Sequence, residues 1–220
     1  MPDSNSPVRL KVWGDYACFT RPEMKVERLS YEVMTPSAAR GILEAIYWKP
    51  QVRWVIERLH VLRPIRFTNL RRNELASKGS AAHAHKAMKG IAIEPLCIVI
   101  EEERQQRAAT ILRDVAYVIE ARFELLGGSE PVAKHYNMFK RRAEQGQYFH
   151  HPYLGTREFP CGFEWIDGSI PKSELTGERD LGYLLHDIDF ANTRAPRFFR
   201  ATMRDGVIEM PSFRSPESRT

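Results

Sequence analysis

The spacing of apolar residues predicts alternating strands and helices along the first part of the chain. Residues 8–13 alternate apolar and mostly basic side chains, which is typical of a strand with one buried face. Residues 35–50 repeat apolar positions at helical spacing, with Thr35 as a capping residue and Pro50 beyond the end. These signals predict a strand followed by a helix.

Four later segments extend this order. Residues 51–62 carry apolar side chains first at even and then at odd positions, which predicts a strand with a bulge near 55–58. Residues 114–125 alternate and predict another strand, and a helix that ends near Glu144 follows a pair of glycines. A strand within residues 157–166 would complete a split β-α-β fold of the ferredoxin-like type.

The remaining third of the chain predicts a second group of strands, because an Asp-Gly pair lies between two alternating apolar runs. We therefore predict an α+β fold class with a ferredoxin-like domain over residues 1–166, which includes a basic hairpin insertion at 63–110. A small antiparallel β-sheet subdomain is predicted at 167–212, and a frayed polar tail at 213–220.

The positive charge of the chain is local. The net charge of the 220 residues is +5, but residues 63–90 contain seven basic side chains against the single acid Glu74. This basic segment therefore carries +6 and the rest of the chain −1, as a surface that follows a phosphate backbone requires. The predicted RNA-binding residues, which include two from the second helix, are Arg63, Arg66, Arg71, Arg72, Lys78, Lys86, Lys89, Lys140 and Arg141.

Composition and motifs argue against several other classes. There is no apolar run of membrane-spanning length, and the N-terminus is polar, so we expect a cytoplasmic protein without a membrane partner. The three cysteines, Cys18, Cys97 and Cys161, form no CxxC pair and are expected to be buried, reduced thiols. No phosphate-binding glycine motif occurs, and we expect no cofactor and no metal.

The adjacent Lys134 and His135 lie at a predicted helix start. Histidine transfers protons near neutral pH and lysine supplies fixed positive charge, so this pair could bracket a phosphate at the helix end. The plainer interpretation is a surface lysine beside a partly buried histidine. A third hypothesis, a small-molecule or metal enzyme, would use histidines elsewhere in the chain, namely His83, His85, His150 and His151.

Three motifs together resemble a known family. "GDYACFT", "AIYWKP" and "KHY" followed by "YLGTREFPC" are similar to the CRISPR-associated Cas5 family in its subtype I-C (d or c) variant, from about Val8 to Pro211. The resemblance implies an RRM-like RAMP domain that cuts CRISPR repeat transcripts at the base of the stem-loop without a metal. Its expected catalytic residues are Tyr47, Lys134 and His135, and its products are a 2′,3′-cyclic phosphate and a 5′-hydroxyl.

The resemblance also implies partners. After cleavage the family stays on the 5′ handle of the crRNA, in an effector complex with a backbone subunit and a large subunit. Either Tyr47 or His135 would activate the 2′-hydroxyl. Because this chain departs from the family within the insertion at 63–110, the resemblance does not predict which CRISPR repeat the protein recognises. The alternative function is a non-catalytic scaffold that binds the 5′ handle.

Overall fold

The computed structural model describes residues 7–24, 26–91, 97–127, 130–190 and 194–213. It is a mixed α/β structure with one large, mostly antiparallel sheet. The strands are β1 (Val8–Ala17), β2 (Arg28–Leu29), β3 (Val52–Val61), β4 (Phe67–Leu75), β5 (Arg104–Leu125), β6 (Gly162–Trp165), β7 (Glu178–Ile188), β8 (Pro196–Arg204) and β9 (Val207–Glu209). The helices are α1 (Pro36–Ile46), α2 (Ala81–Met88), α3 (Ile100–Glu103) and α4 (Val132–Glu144).

The first helix begins and ends where its sequence signals predict. The Thr35 side chain accepts a hydrogen bond from the backbone N–H of Ala38, and Pro36 occupies the first turn, where its missing N–H costs nothing. The helix ends at Ile46, and Tyr47 follows in an extended conformation with φ −150° and ψ 114°. That extended residue determines where the Tyr47 ring lies.

The central strands run in the order β6-β1-β5-β3, and every neighbouring pair in this group is antiparallel. The predicted bulge in β3 is confirmed by a register shift between Ile56 and Arg58. Helices α1 and α4 contribute to the same core as the inward face of β1, so both helices pack on one face of the sheet. Phe139 of α4 is fully buried, with its ring centroid 4.8 Å from that of Trp54 in β3.

The C-terminal strands continue this sheet. β9 pairs with β3, and β8 and β7 follow it outward, so the antiparallel strands within residues 167–212 are hydrogen-bonded to the larger sheet. A division of the chain after residue 166 stays a prediction. Only Phe213 of the predicted tail is described, and residues 214–220 lie outside the described residues.

In the insertion at 63–110, strand β4 pairs antiparallel with the first half of β5, from Phe67 opposite Leu112 to Leu75 opposite Arg104. The chain between these strands includes α2, whose first turn is capped by the Ser80 side chain, and the acidic helix α3. Residues 92–96 of this connection lie outside the described residues. The basic segment therefore lies beside three consecutive glutamates of α3, which the charge count over 63–90 did not include.

Candidate functional site

The end of α1 and the start of α4 bring two of the predicted catalytic side chains together. The Tyr47 hydroxyl lies 2.8 Å from Nδ1 of His135, a hydrogen bond between residues 88 positions apart in the chain. The Trp54 indole donates to the backbone carbonyl of Tyr47 over 3.1 Å, which holds the residue after the helix in place. The two helix ends therefore bring Tyr47 and His135 into contact.

A carboxylate connects this pair to the third predicted residue. Oε2 of Glu130 lies 3.4 Å from Nε2 of His135, and Oε1 of Glu130 is paired with the ammonium of Lys134. The side-chain amide of Gln51 donates to Oε2 of Glu130 over 3.3 Å. Sequence analysis missed Glu130, although its spacing of four residues before Lys134 is the spacing of an ion pair on one helix face.

The site is closed in this conformation. Tyr47 is 2% exposed and His135 is fully buried, whereas half of the Lys134 side chain is exposed. The guanidinium of Arg142 lies over the Tyr47 ring at 5.2 Å and donates to the carbonyl of Ile46. In this conformation Tyr47 and His135 are therefore not open to a phosphate, and the assignment of Tyr47, Lys134 and His135 as catalytic residues stays a prediction. The extended Tyr47 turns its ring under neighbouring side chains, and Lys134 pairs with Glu130.

Burial and nearby charges determine the protonation of the pair. Burial lowers the pKa of His135 below its ordinary value, Glu130 opposes this shift, and Lys49 and Lys134 add to it. Burial raises the pKa of Tyr47, and the charge of Glu130 raises it further against Arg142 and Lys134. Near neutral pH both groups are therefore uncharged, with the tyrosine protonated and the histidine neutral.

Exposed aromatic side chains lie beside the closed pair. Trp48 is 58% exposed and Phe149 is 85% exposed, and Tyr148 precedes Phe149 in the chain. The backbone N–H of Phe149 donates to the carbonyl of Ala45 over 2.8 Å, which fixes this loop against the end of α1. We call Trp48, Tyr148 and Phe149 the aromatic strip. Unpaired bases stack on such rings, so the strip suits single-stranded RNA.

The predicted RNA-binding residues fall into two groups. Three of them are paired with acids: Arg66 lies 4.0 Å from Asp114, Arg72 is paired with Glu158, and Lys140 lies 2.7 Å from Asp167. Within the described part of the chain, the others have no acidic partner within 4 Å and are exposed: Arg63, Arg71, Lys78, Lys86, Lys89 and Arg141. The freely available positive charge therefore lies mainly on β4 and around α2.

The histidines of the metal hypothesis are not arranged as a site. His83 and His85 lie on the exposed helix α2 and not on one side of a strand, so residues two apart point in different directions. Nδ1 of His151 lies 2.8 Å from the carbonyl oxygen of Pro152. Among the residues that the structure describes, no three His, Cys, Asp or Glu side chains are grouped closely enough to hold a metal ion.

Two other sequence expectations concern the thiols and the membrane. Cys18 and Cys161 are buried and reduced as predicted, but Cys97 is exposed because it lies in the connection beyond α2, away from the core. Over the described ranges, no helix has both the length and the apolar character needed to cross a bilayer.

The family model described as "CRISPR-associated protein (Cas_Cas5)" matches residues 8–211, which is most of the chain and includes both helix ends of the site. The chain belongs to the Cas5 family, in its subtype I-C variant. Two curated relatives agree with this assignment. The site described above is therefore a site of a Cas5 protein.

Two curated relatives share nearly the full length of this Cas5 chain. A protein of Mannheimia succiniciproducens named "CRISPR pre-crRNA endoribonuclease Cas5d" is 55% identical and covers 96% of this chain and 97% of its own. A protein of Thermus thermophilus with the same name is 41% identical, covering 93% of this chain and 91% of its own. A solved structure described as "Crystal Structure of CRISPR-associated Protein" has a TM-score of 0.69 at 24% identity, covers 98% of this chain and 97% of its own, and supports the fold.

Proposed function

We propose that this Cas5 protein is an endoribonuclease that cuts CRISPR repeat transcripts, the pre-crRNA, at the base of the repeat stem-loop without a metal ion. The proposal rests on one observation above all, the 2.8 Å contact between Tyr47 and His135 at the ends of two helices. The names of the two relatives, which match nearly the whole chain, support the same substrate class.

The proposed reaction uses the substrate's own ribose. The 2′-oxygen attacks the adjacent phosphorus and its proton passes to the Tyr47–His135 pair. The bond from phosphorus to the 5′-oxygen breaks, which leaves a 2′,3′-cyclic phosphate and, after protonation, a 5′-hydroxyl. Lys134 stabilises the extra negative charge that develops on the phosphate oxygens, the usual contribution of a fixed cation in phosphoryl chemistry.

RNA binding has to open the closed pair. Lys134 is the exposed member of the network and faces the carboxylate of Glu130. A phosphate of the RNA competes with that carboxylate for the same ammonium, so we propose that Lys134 exchanges Glu130 for the scissile phosphate. This exchange brings the reacting bond to the Tyr47–His135 pair.

The wider surface supports RNA binding as well. The strand order β6-β1-β5-β3 with both helices on one face supports a ferredoxin-like domain, and we propose that residues 1–166 form such a RAMP domain. Its hairpin insertion carries most of the unpaired basic side chains, and the aromatic strip lies next to the site. We propose that residues 167–212 form the subdomain, and that the protein stays on the 5′ handle beside the backbone and large subunits.

The test is cleavage of the cognate repeat RNA in EDTA, with analysis of both product ends. We expect full activity with the chelator, a cyclic phosphate on the upstream product and a 5′-hydroxyl on the downstream one. The double variant Lys134→Ala, His135→Ala should bind the RNA and fail to cut it. Complete inhibition by EDTA, or undiminished cutting by the double variant, would contradict the proposal.

A second function is favoured by the burial of Tyr47 and His135. A site that stays closed would leave a protein that binds the 5′ handle of the crRNA and serves only as a scaffold of the effector complex. The same cleavage assay separates the two functions, because a scaffold would bind the repeat RNA with the same affinity and release no product in any buffer.

A further inference from the structure

We propose that Glu130 is a positioning residue for the reaction: it fixes the tautomer of His135 so that Tyr47 is the group that meets the ribose and takes its 2′-proton. This inference rests on the proposed function and assigns a direction to its proton transfer. It concerns a residue that does not touch the RNA and acts through the imidazole.

Both nitrogens of His135 face protein groups. Nδ1 lies 2.8 Å from the Tyr47 hydroxyl and Nε2 lies 3.4 Å from Oε2 of Glu130. The side chain is fully buried, so in this arrangement its ring has no exposed atom to offer to RNA. In this arrangement the histidine exchanges protons through Tyr47 and Glu130, and RNA binding has to uncover Tyr47, which is itself only 2% exposed.

The chemistry of the two neighbours assigns the tautomer. A neutral imidazole carries one N–H, and an ionised carboxylate only accepts hydrogen bonds. Among the described residues Nε2 makes no hydrogen bond in this conformation, but the negative charge of Glu130 at 3.4 Å favours the hydrogen on that nitrogen over the one that faces Tyr47. Nδ1 then keeps its lone pair and accepts the O–H of Tyr47, which leaves the lone pairs of the hydroxyl oxygen for the incoming ribose proton.

The transfer balances without a free phenolate. As the 2′-oxygen bonds to phosphorus, its proton moves to the Tyr47 oxygen while the proton of Tyr47 moves to Nδ1 of His135. The product of this step is a neutral tyrosine beside an imidazolium, whose positive charge faces the carboxylate of Glu130. A lone tyrosine would supply little phenolate here, because its pKa is raised above the ordinary value and the hydroxyl stays protonated near neutral pH.

The position of Glu130 does not depend on Lys134 alone. Gln51, immediately before β3, donates to Oε2 of Glu130 over 3.3 Å, so one anchor remains when Lys134 turns to a phosphate. The charged and titratable groups that act on His135 are Tyr47 and Lys49 from the end of α1 and, around the start of α4, Glu130 and Lys134. Glu130 is the one acid in this set.

The experiment compares Glu130→Gln with the matched control Glu144→Gln, which removes a carboxylate from the other end of α4, where it lies 3.7 Å from Lys140. The first readout needs no RNA: nitrogen-15 NMR of the histidine rings in the whole protein. We expect the Nε2–H tautomer for His135 in the wild type, and a lower His135 pKa in Glu130→Gln because the negative charge that stabilises the imidazolium is lost. The control variant Glu144→Gln should leave the tautomer and the pKa of His135 unchanged.

The second readout is the pH dependence of single-turnover cleavage. Glu130→Gln should cut about tenfold to hundredfold more slowly, part of the roughly 10²–10⁴-fold that general acid–base groups contribute. The acidic limb of its profile should move to lower pH together with the His135 pKa, and Glu130→Asp should recover part of the rate. An Nδ1–H tautomer in the wild type, or an unchanged His135 titration in Glu130→Gln, would overturn the inference. Absence of wild-type cleavage would instead reject the proposed function.

Discussion

The hydrogen bond between Tyr47 and His135 gives the sharpest prediction for a single atom. The substitution Tyr47→Phe removes the hydroxyl and leaves Nδ1 of His135 without its partner at 2.8 Å, inside a fully buried side chain. An unpaired buried polar group costs about 1–3 kcal/mol, so the free energy of unfolding should fall by that amount. The ring itself stays packed, because the Trp54 indole holds the backbone carbonyl of Tyr47.

Urea denaturation and thermal melting measure this loss. In a chain of 220 residues each kcal/mol lowers Tm by about 2–4 °C, so the expected decrease is about 2–12 °C. Tyr136→Phe is the matched control, because it removes a hydroxyl from α4 that has no hydrogen-bond partner among the described residues. Its free energy of unfolding should change by less than about 0.5 kcal/mol, as for ordinary surface substitutions. Equal values for the two variants would refute the hydrogen bond.

Three further predictions concern stability and reactivity. Gly155→Ala should destabilise the fold by about 2–5 kcal/mol in urea, because φ is +86° and the new Cβ would overlap the Cys18 carbonyl; a wild-type midpoint would contradict this. Because the pKa of His135 is lowered in the folded protein, the unfolded chain binds more protons below about pH 6.5. As the pH is lowered through this range, the free energy of unfolding should fall by up to about 1.4 kcal/mol per pH unit. His135→Gln should lose this slope, and a pH dependence identical to that of the wild type would count against it. A thiol reagent should modify Cys97 quickly in the native protein and spare Cys161, whose pKa burial raises to about 12; rapid reaction of both would be inconsistent with the structure.

Local signals in the sequence predicted the elements that carry the site. The cap at Thr35 predicted the start of α1. The switch of apolar residues from even to odd positions in β3 predicted its bulge, which lies between Ile56 and Arg58. Such features depend on neighbours in the chain, so they are readable without coordinates. The junction of β9 with β3 depends on a contact about 150 positions apart and could not be read this way.

The burial of Tyr47 and His135 could not be predicted from these local signals. Whether Tyr47 points into solvent or under Arg142 is determined by an extended residue after α1 and by packing from α4. The helix at α2 was missed because its short alanine and histidine run has no buried face and therefore no apolar periodicity. Glu130 had a local signal in its spacing from Lys134, but its contact with His135 is set by the first turn of the helix.

We propose that the buried pair of Tyr47 and His135 performs the proton transfer in RNA cleavage. The most direct measurement is the single-turnover rate on the cognate repeat RNA in EDTA for the wild type and Tyr47→Phe, with RNA affinity measured for both. We predict that the variant binds equally well and cuts about 10²–10⁴-fold more slowly, since general acid–base help of that size is lost. A variant that binds and cuts at the wild-type rate would contradict the claim.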